Sequence, residues 1–91
     1  MNLEYRDELA ERYSIAYSAM KKVPSFAYSD CRKMAQAVYE LLTKADVERI
    51  NCRRLKRTTD KFVKLMQDAE KALDNFEAHI VFAQLMKKDI R

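Results

Sequence analysis

The fold of this chain is decided by residues 60–91, DKFVKLMQDAEKALDNFEAHIVFAQLMKKDIR. Apolar side chains recur there in steps of three and four, the spacing that places them on one side of an α-helix. The stripe consists of Phe62, Leu65, Met66, Ala69, Ala72, Leu73, Phe76, Ile80, Ala83, Met86 and Ile90. We therefore predict a long amphipathic helix at about 59–90, with this stripe forming one wall of the core.

The composition indicates an all-α protein. The 91 residues include no Gly and one Pro, so the chain lacks the residues that supply positive φ in hairpin turns. Strong helix formers are abundant, and a content of 35% charged and 48% apolar residues is typical of a globular protein. We expect residues 1–91 to form one domain, a small helical bundle.

Four helices are predicted, at about 3–22, 28–42, 44–57 and 59–90, of which the last is the longest. The first ends before Pro24, because proline donates no backbone hydrogen bond and the residue preceding it avoids helical geometry. Thr58 and Thr59 are weak helix formers that can cap, and they mark the last break. The alternative is a fusion of helices three and four, from Lys44 to Ile90. That rod of roughly 70 Å would need a dimer or a higher assembly to cover it.

The break between helices two and three follows from the phase of the apolar stripe. The stripe from Cys31 to Leu42 would continue onto charged residues such as Arg49. A break near Thr43, which with Asp46 fits a capping pattern, would remove this conflict. The apolar residues that follow then begin a stripe of their own, Val47, Ile50 and Leu55.

A basic segment from Arg49 to Lys64 is the first candidate binding surface. It contains seven basic residues and one acid; the basic ones are Arg49, Arg53, Arg54, Lys56, Arg57, Lys61 and Lys64. Most of them fall on one broad helical face, which is how a helix follows phosphates, so nucleic acid is one partner class. A helix-turn-helix formed by helices two and three is a sharper version of this hypothesis. The competing interpretation is a solvated face that compensates the helix dipole.

Protein partners are the other class, and we expect them in preference to nucleic acid. Val81, Phe82 and Leu85 lie off the main stripe and widen the apolar surface of the last helix beyond what three neighbouring helices can cover. The tyrosines most suited to face a partner are Tyr17, Tyr28 and Tyr39. The sequence therefore predicts a stoichiometric binding protein, such as a regulator, inhibitor or immunity-type factor, with a homodimer as one arrangement.

Catalysis and metal binding find no support in the sequence. Cys31 and Cys52 form no CxxC motif, and His79 is the single histidine, so a zinc site of ordinary spacing is not available. A disulfide between the two cysteines stays open, although two core thiols are the simpler interpretation. Without glycine no glycine-rich phosphate-binding loop can form. We expect a protein that is not an enzyme and that uses no cofactor or metal.

Two features bear on cellular location. No apolar run is long enough to span a bilayer, so we predict no membrane association. Residues 1–12 are acidic, the reverse of the positively charged start of a secretory signal. A cytoplasmic protein is the resulting prediction.

Overall fold

A computed structural model of the protein describes residues 2–89, with side chains as far as residue 87. Three helices occupy these residues: α1 (Tyr5–Met20), α2 (Ser25–Leu55) and α3 (Asp60–Asp89). They pack around one cluster of buried side chains in a rod of 56 × 18 × 17 Å. The all-α class is confirmed, and the predicted stripe faces the core from Phe62 to Ala83, with Leu65 and Ala72 partly buried and the other members buried. Its last member, Ile90, lies outside the described residues.

The boundary between α1 and α2 falls where the proline predicts it. α1 buries Leu9, Ala16 and Met20, and its last turn ends four residues before Pro24. The proline itself is extended, with φ −58° and ψ 150°, and α2 starts at the next residue. Proline suits this position because its fixed φ is acceptable just before a helix, where no backbone donor is needed.

The predicted break near Thr43 is wrong, and the bundle therefore has three helices instead of four. α2 continues through this residue, whose hydroxyl donates to the carbonyl of Tyr39 at 2.8 Å within the helix instead of capping a new one. The buried face also keeps its phase beyond Leu42, with Ala45, Arg49 and Cys52 at the next inward positions. The residues that suggested a new stripe, Val47, Ile50 and Leu55, are exposed.

Specific partners allow charged residues to occupy this inward face. Arg49 pairs with Asp7 of α1 at 3.0 Å and with Asp46 at 2.6 Å. Glu48 accepts a hydrogen bond from the hydroxyl of Thr59 at 3.1 Å. A buried charge is tolerated only when it is paired in this way. The assumption that only apolar residues face the core, which placed the break near Thr43, therefore does not hold here.

The turn between α2 and α3 confirms the last predicted break. Lys56 has φ 57°, and the amides of Lys56 and Arg57 bond back to the carbonyls of Arg53 and Cys52, which closes α2 with a Schellman motif. Thr59 then caps α3, because its Oγ1 accepts the amide of Phe62 at 3.1 Å. The fusion of the third and fourth predicted helices is therefore wrong. The chain reverses here, and α2 and α3 form a long antiparallel hairpin.

α1 lies along the part of this hairpin that is distant from its turn. Tyr5 donates to Glu70 at 2.6 Å, and Arg12 donates to Asp74 at 2.9 Å and to Glu77 at 2.6 Å. With 16 residues, α1 is about half as long as α2 or α3, which have 31 and 30. A groove lies between α1 and α2, and another side of α1 packs against α3. None of the described helices has an apolar run sufficient to cross a bilayer.

Candidate binding surfaces

The structure divides the basic segment into a structural part and an exposed part. Arg49 is 8% exposed and holds α1 against α2, so it is not available to a partner. Arg53 reaches Glu4 at 3.4 Å, Arg54 donates to Asn51, and Lys64 lies 3.2 Å from Asp68. These pairs at the surface are weak and could be exchanged for a ligand. The burial of Arg49 removes one member of the proposed phosphate-binding face.

The exposed part of the basic segment sits at the hairpin turn. Lys56, Arg57 and Lys61 are exposed there, and no ion pair within the described residues engages them. They are not presented by a helix-turn-helix. That motif requires a turn between residues 42 and 44, and α2 is continuous through them. The helix-turn-helix hypothesis is therefore wrong, whereas phosphate binding at the hairpin turn remains a prediction.

An exposed apolar patch lies in the last described turns of α3. Val81, Phe82 and Leu85, which we call the α3 patch, are 56%, 59% and 54% exposed. Leu85 lies four positions from Val81 and three from Phe82, and both spacings make neighbours on a helix surface. The structure thus places these three residues at the surface, as the sequence analysis expects.

One residue of α1 extends this patch. The pairs Tyr5–Glu70 and Arg12–Glu77 both span 65 residues, so the two helices run in the same direction with that register. The same register places Ile15, which is exposed, beside residue 80 on the flank of α1 that carries Arg12. Ile15 therefore lies at the level of the α3 patch along the bundle.

A second exposed apolar surface lies on α2, and it was not predicted from the sequence. Val47 and Ile50 of α2 are each 66% exposed and are neighbours on the outward side of the helix. The signal in the sequence was that these two residues do not fall at the helical positions where the stripe from Cys31 to Leu42 would continue. We interpreted it as a helix break, whereas it marks apolar residues that face solvent.

The predicted tyrosines divide between the core and a groove. Tyr28 is half-buried against the core, whereas Tyr17 and Tyr39 line a groove between α1 and α2 with a volume of about 790 Å³. Tyr13 lines the groove beside them and also packs against the core. The remaining lining residues are small, polar or basic: Ser14, Ser18, Lys21, Arg32, Lys33, Ala35 and Gln36.

The floor of this groove is ordered by aromatic contacts. The ring centroids of Tyr13 and Tyr17 are 5.8 Å apart, and Tyr13 also lies 6.1 Å from Phe76 of the core. Lys21 Nζ sits 5.4 Å from the centroid of the Tyr17 ring, a cation–π arrangement. Burial raises the pKa of Tyr13, and the phenols of Tyr17 and Tyr39 raise it further. The hydroxyl of Tyr13 is thus a neutral hydrogen-bonding group at pH 7.

Cys31, Cys52 and His79 are the side chains to consider for nucleophilic or metal chemistry. Cys31 and Cys52 are free and buried, and they are 21 residues apart on one helix, roughly 31 Å, too far for a disulfide between them. Burial raises the pKa of the Cys31 thiol, which disfavours the reactive thiolate. The sulfur of Cys52 accepts the amide of Thr59 at 3.4 Å. In the described part of the chain, no cluster of three metal-ligating side chains occurs around His79 or elsewhere.

Comparison with protein-family models, with curated proteins and with solved structures gives no match to this chain.

Proposed function

We propose that the chain is a small non-enzymatic binding protein that docks on a protein partner through the α3 patch. The observation that supports this most directly is the exposure of Val81, Phe82 and Leu85 in a single turn of a helix whose opposite side forms the core. Large apolar side chains scattered singly over a surface are ordinary, whereas a cluster that includes an aromatic ring is typical of protein interfaces.

Burial of such a cluster against a partner would contribute a large part of the binding free energy. Burial of apolar surface contributes about 25 cal/mol per Å², so three large side chains enclosed by a partner contribute on the order of several kcal/mol. Most of the binding energy of an interface comes from a few residues of this kind near its centre. Ile15 of α1 would enlarge the contact, and the charged pair Arg12–Asp74 would lie towards its rim.

The mode of action that fits this surface is stoichiometric. A rigid helical face is a common means by which a small protein occupies a site on a larger one. We therefore propose a regulator, inhibitor or immunity-type factor acting in the cytoplasm. A homodimer joined through the same patch is the second arrangement that this surface supports.

The test is affinity capture with paired variants. Tagged wild-type protein, the patch variant V81S/F82S/L85S and the control variant V47S/I50S are expressed in the native source, and the retained proteins are identified by mass spectrometry. Circular dichroism verifies that each variant folds. We expect one partner, or untagged copies of the chain, to be retained by the wild type and by the control, and to be lost with the patch variant.

Two results would overturn this proposal. One is retention of the same protein by the patch variant at the level of the wild type. The other is its loss with V47S/I50S alone, which would transfer the docking surface to α2. Light scattering of the purified chain separates the two arrangements, because a homodimer has twice the monomer mass of 10.8 kDa.

A further inference from the structure

The groove between α1 and α2 contains no acidic side chain. Its ten lining residues include three cations, Lys21, Arg32 and Lys33, while the whole chain has 14 Asp and Glu residues against 18 Lys and Arg. Glu40 accepts a hydrogen bond from the lining residue Gln36 at 3.3 Å but does not itself line the groove. A concave surface whose charged lining residues are all cations concentrates a positive potential and attracts anions.

Two of these cations have no partner among the residues that the structure describes. Arg32 and Lys33 are exposed and make no hydrogen bond or ion pair within residues 2–89, in contrast to Arg49, Arg53 and Lys64 of the basic segment. A ligand anion would therefore displace no existing ion pair at these two positions. Arg32 can also bind a phosphate through two parallel N–H groups.

The aromatic residues of the groove add a second requirement on the ligand. Lys21 already covers the ring of Tyr17, whereas Tyr39 is 54% exposed. Arg32 and Tyr39 are seven residues apart on α2, which separates their backbones by roughly 10 Å along the groove. The groove thus combines cations at one end with a ring available for stacking at the other.

The ligand class that meets both requirements is a nucleotide with an unpaired base. The phosphate contacts the cations, and the base stacks on the ring of Tyr39 next to the amide of Gln36, which can read a base edge. In a duplex the faces of the bases are stacked on one another. A duplex could therefore contact the cations of the groove but not stack a base on the ring of Tyr39. A carboxylate-rich peptide would likewise leave the ring unused. The volume of about 790 Å³ is in the range of sites for small ligands.

We propose that the α1/α2 groove binds nucleotide units, either as free nucleotides or within a single strand of nucleic acid. This site is distinct from the α3 patch, and it does not use the exposed cations of the hairpin turn. It is independent of the proposed function, because the groove and the patch share no residue.

Fluorescence anisotropy of a labelled ten-nucleotide single strand tests the proposal with purified full-length protein. The groove variants are R32Q/K33Q and Y39A. The matched control R57Q/K61Q removes the same charge at the hairpin turn, and F26A removes an exposed ring outside the groove. We expect R32Q/K33Q and Y39A each to weaken binding about tenfold or more, and each control to change it less than twofold.

Competitors then identify the source of the nucleotide. Displacement by ATP at concentrations near those of the strand assigns a free nucleotide, whereas displacement by unlabelled single strand alone assigns nucleic acid. R32Q/K33Q should also reduce the slope of log affinity against log salt by about 1.4.

Several outcomes would overturn the proposal. These are the absence of binding to both strand and ATP, a larger loss with R57Q/K61Q than with R32Q/K33Q, and an unchanged affinity of Y39A. Displacement by duplex, polyglutamate or phosphotyrosine as effective as displacement by the strand would also contradict it.

Discussion

Arg49 Nη1 lies 3.0 Å from Asp7 Oδ2, an ion pair that joins the C-terminal half of α2 to the first turn of α1. The other end of the guanidinium binds Asp46 at 2.6 Å, and Arg49 is buried although it belongs to the most basic segment of the chain. The pair sets the position of α1 along the hairpin. It thereby also sets the geometry of the groove and of the flank beside the α3 patch.

Replacement of Arg49 tests this role. We expect Arg49→Gln to lower the free energy of unfolding by about 1–3 kcal/mol, because it removes a buried guanidinium that bonds to Asp7, to Asp46 and to the carbonyl of Leu3. Urea denaturation followed by circular dichroism measures the change. Arg54→Gln, at an exposed position of the same helix, should alter stability by less than about 0.5 kcal/mol. Equal stabilities of the two variants would contradict the assignment.

The same pair predicts a dependence of stability on pH. The hydrogen bond from Arg49 lowers the pKa of Asp7 in the folded protein. A lowered pKa contributes stability above the unfolded value of about 4, and the contribution is lost as the pH falls through the folded pKa. Asp7→Asn should therefore be less stable than the wild type at pH 7, and the difference should shrink below about pH 4. Denaturation curves at pH 7, 4 and 3 check this, and a difference independent of pH would refute it.

Lys56 offers a site for stabilisation. Its φ of 57° is in the left-handed region, where a residue with a Cβ is strained and glycine is not. We expect Lys56→Gly to raise the free energy of unfolding by about 0.5–1 kcal/mol. Lys71→Gly, at an exposed position within α3, should lower it by about 1 kcal/mol. Thermal denaturation of both variants distinguishes the local backbone effect from the loss of a charge.

Thr59 connects the hairpin turn to both helices. Its hydroxyl accepts the amide of Phe62 and donates to Glu48, which is buried. Thr59→Ala removes the cap and leaves the carboxylate with fewer donors, so we expect a loss of about 1–3 kcal/mol. Thr59→Ser keeps the hydroxyl and should lose less than half as much. The interpretation fails if Ser and Ala are equally destabilising in urea.

Local sequence signals predicted most of the fold. Pro24 and the threonines at 58 and 59 act on their own backbone, so the breaks that they mark could be recognised without knowledge of the tertiary structure. The break near Thr43 could not be judged in that way. It rested on the assumption that Arg49 could not face the core, and the residue that makes this acceptable, Asp7, is 42 positions away.

Of the candidate binding surfaces, the α3 patch could be predicted from the sequence, whereas the groove between α1 and α2 could not. The α3 patch follows from helical periodicity alone, because Val81, Phe82 and Leu85 lie on the side opposite the stripe. The groove did not follow, since it arises only when α1 and α2 pack and bring Tyr17 next to Arg32 and Tyr39. Whether a cation is paired or available likewise depends on which acids the fold brings near it.

The most direct test of the central claim is photo-crosslinking in the native source. A photoreactive phenylalanine analogue replaces Phe82 in one variant and Val47 in a control. The account predicts that irradiation links position 82 to a discrete protein, or to a second copy of the chain, and that position 47 yields no such product. A discrete adduct at position 47 with none at position 82 would contradict it.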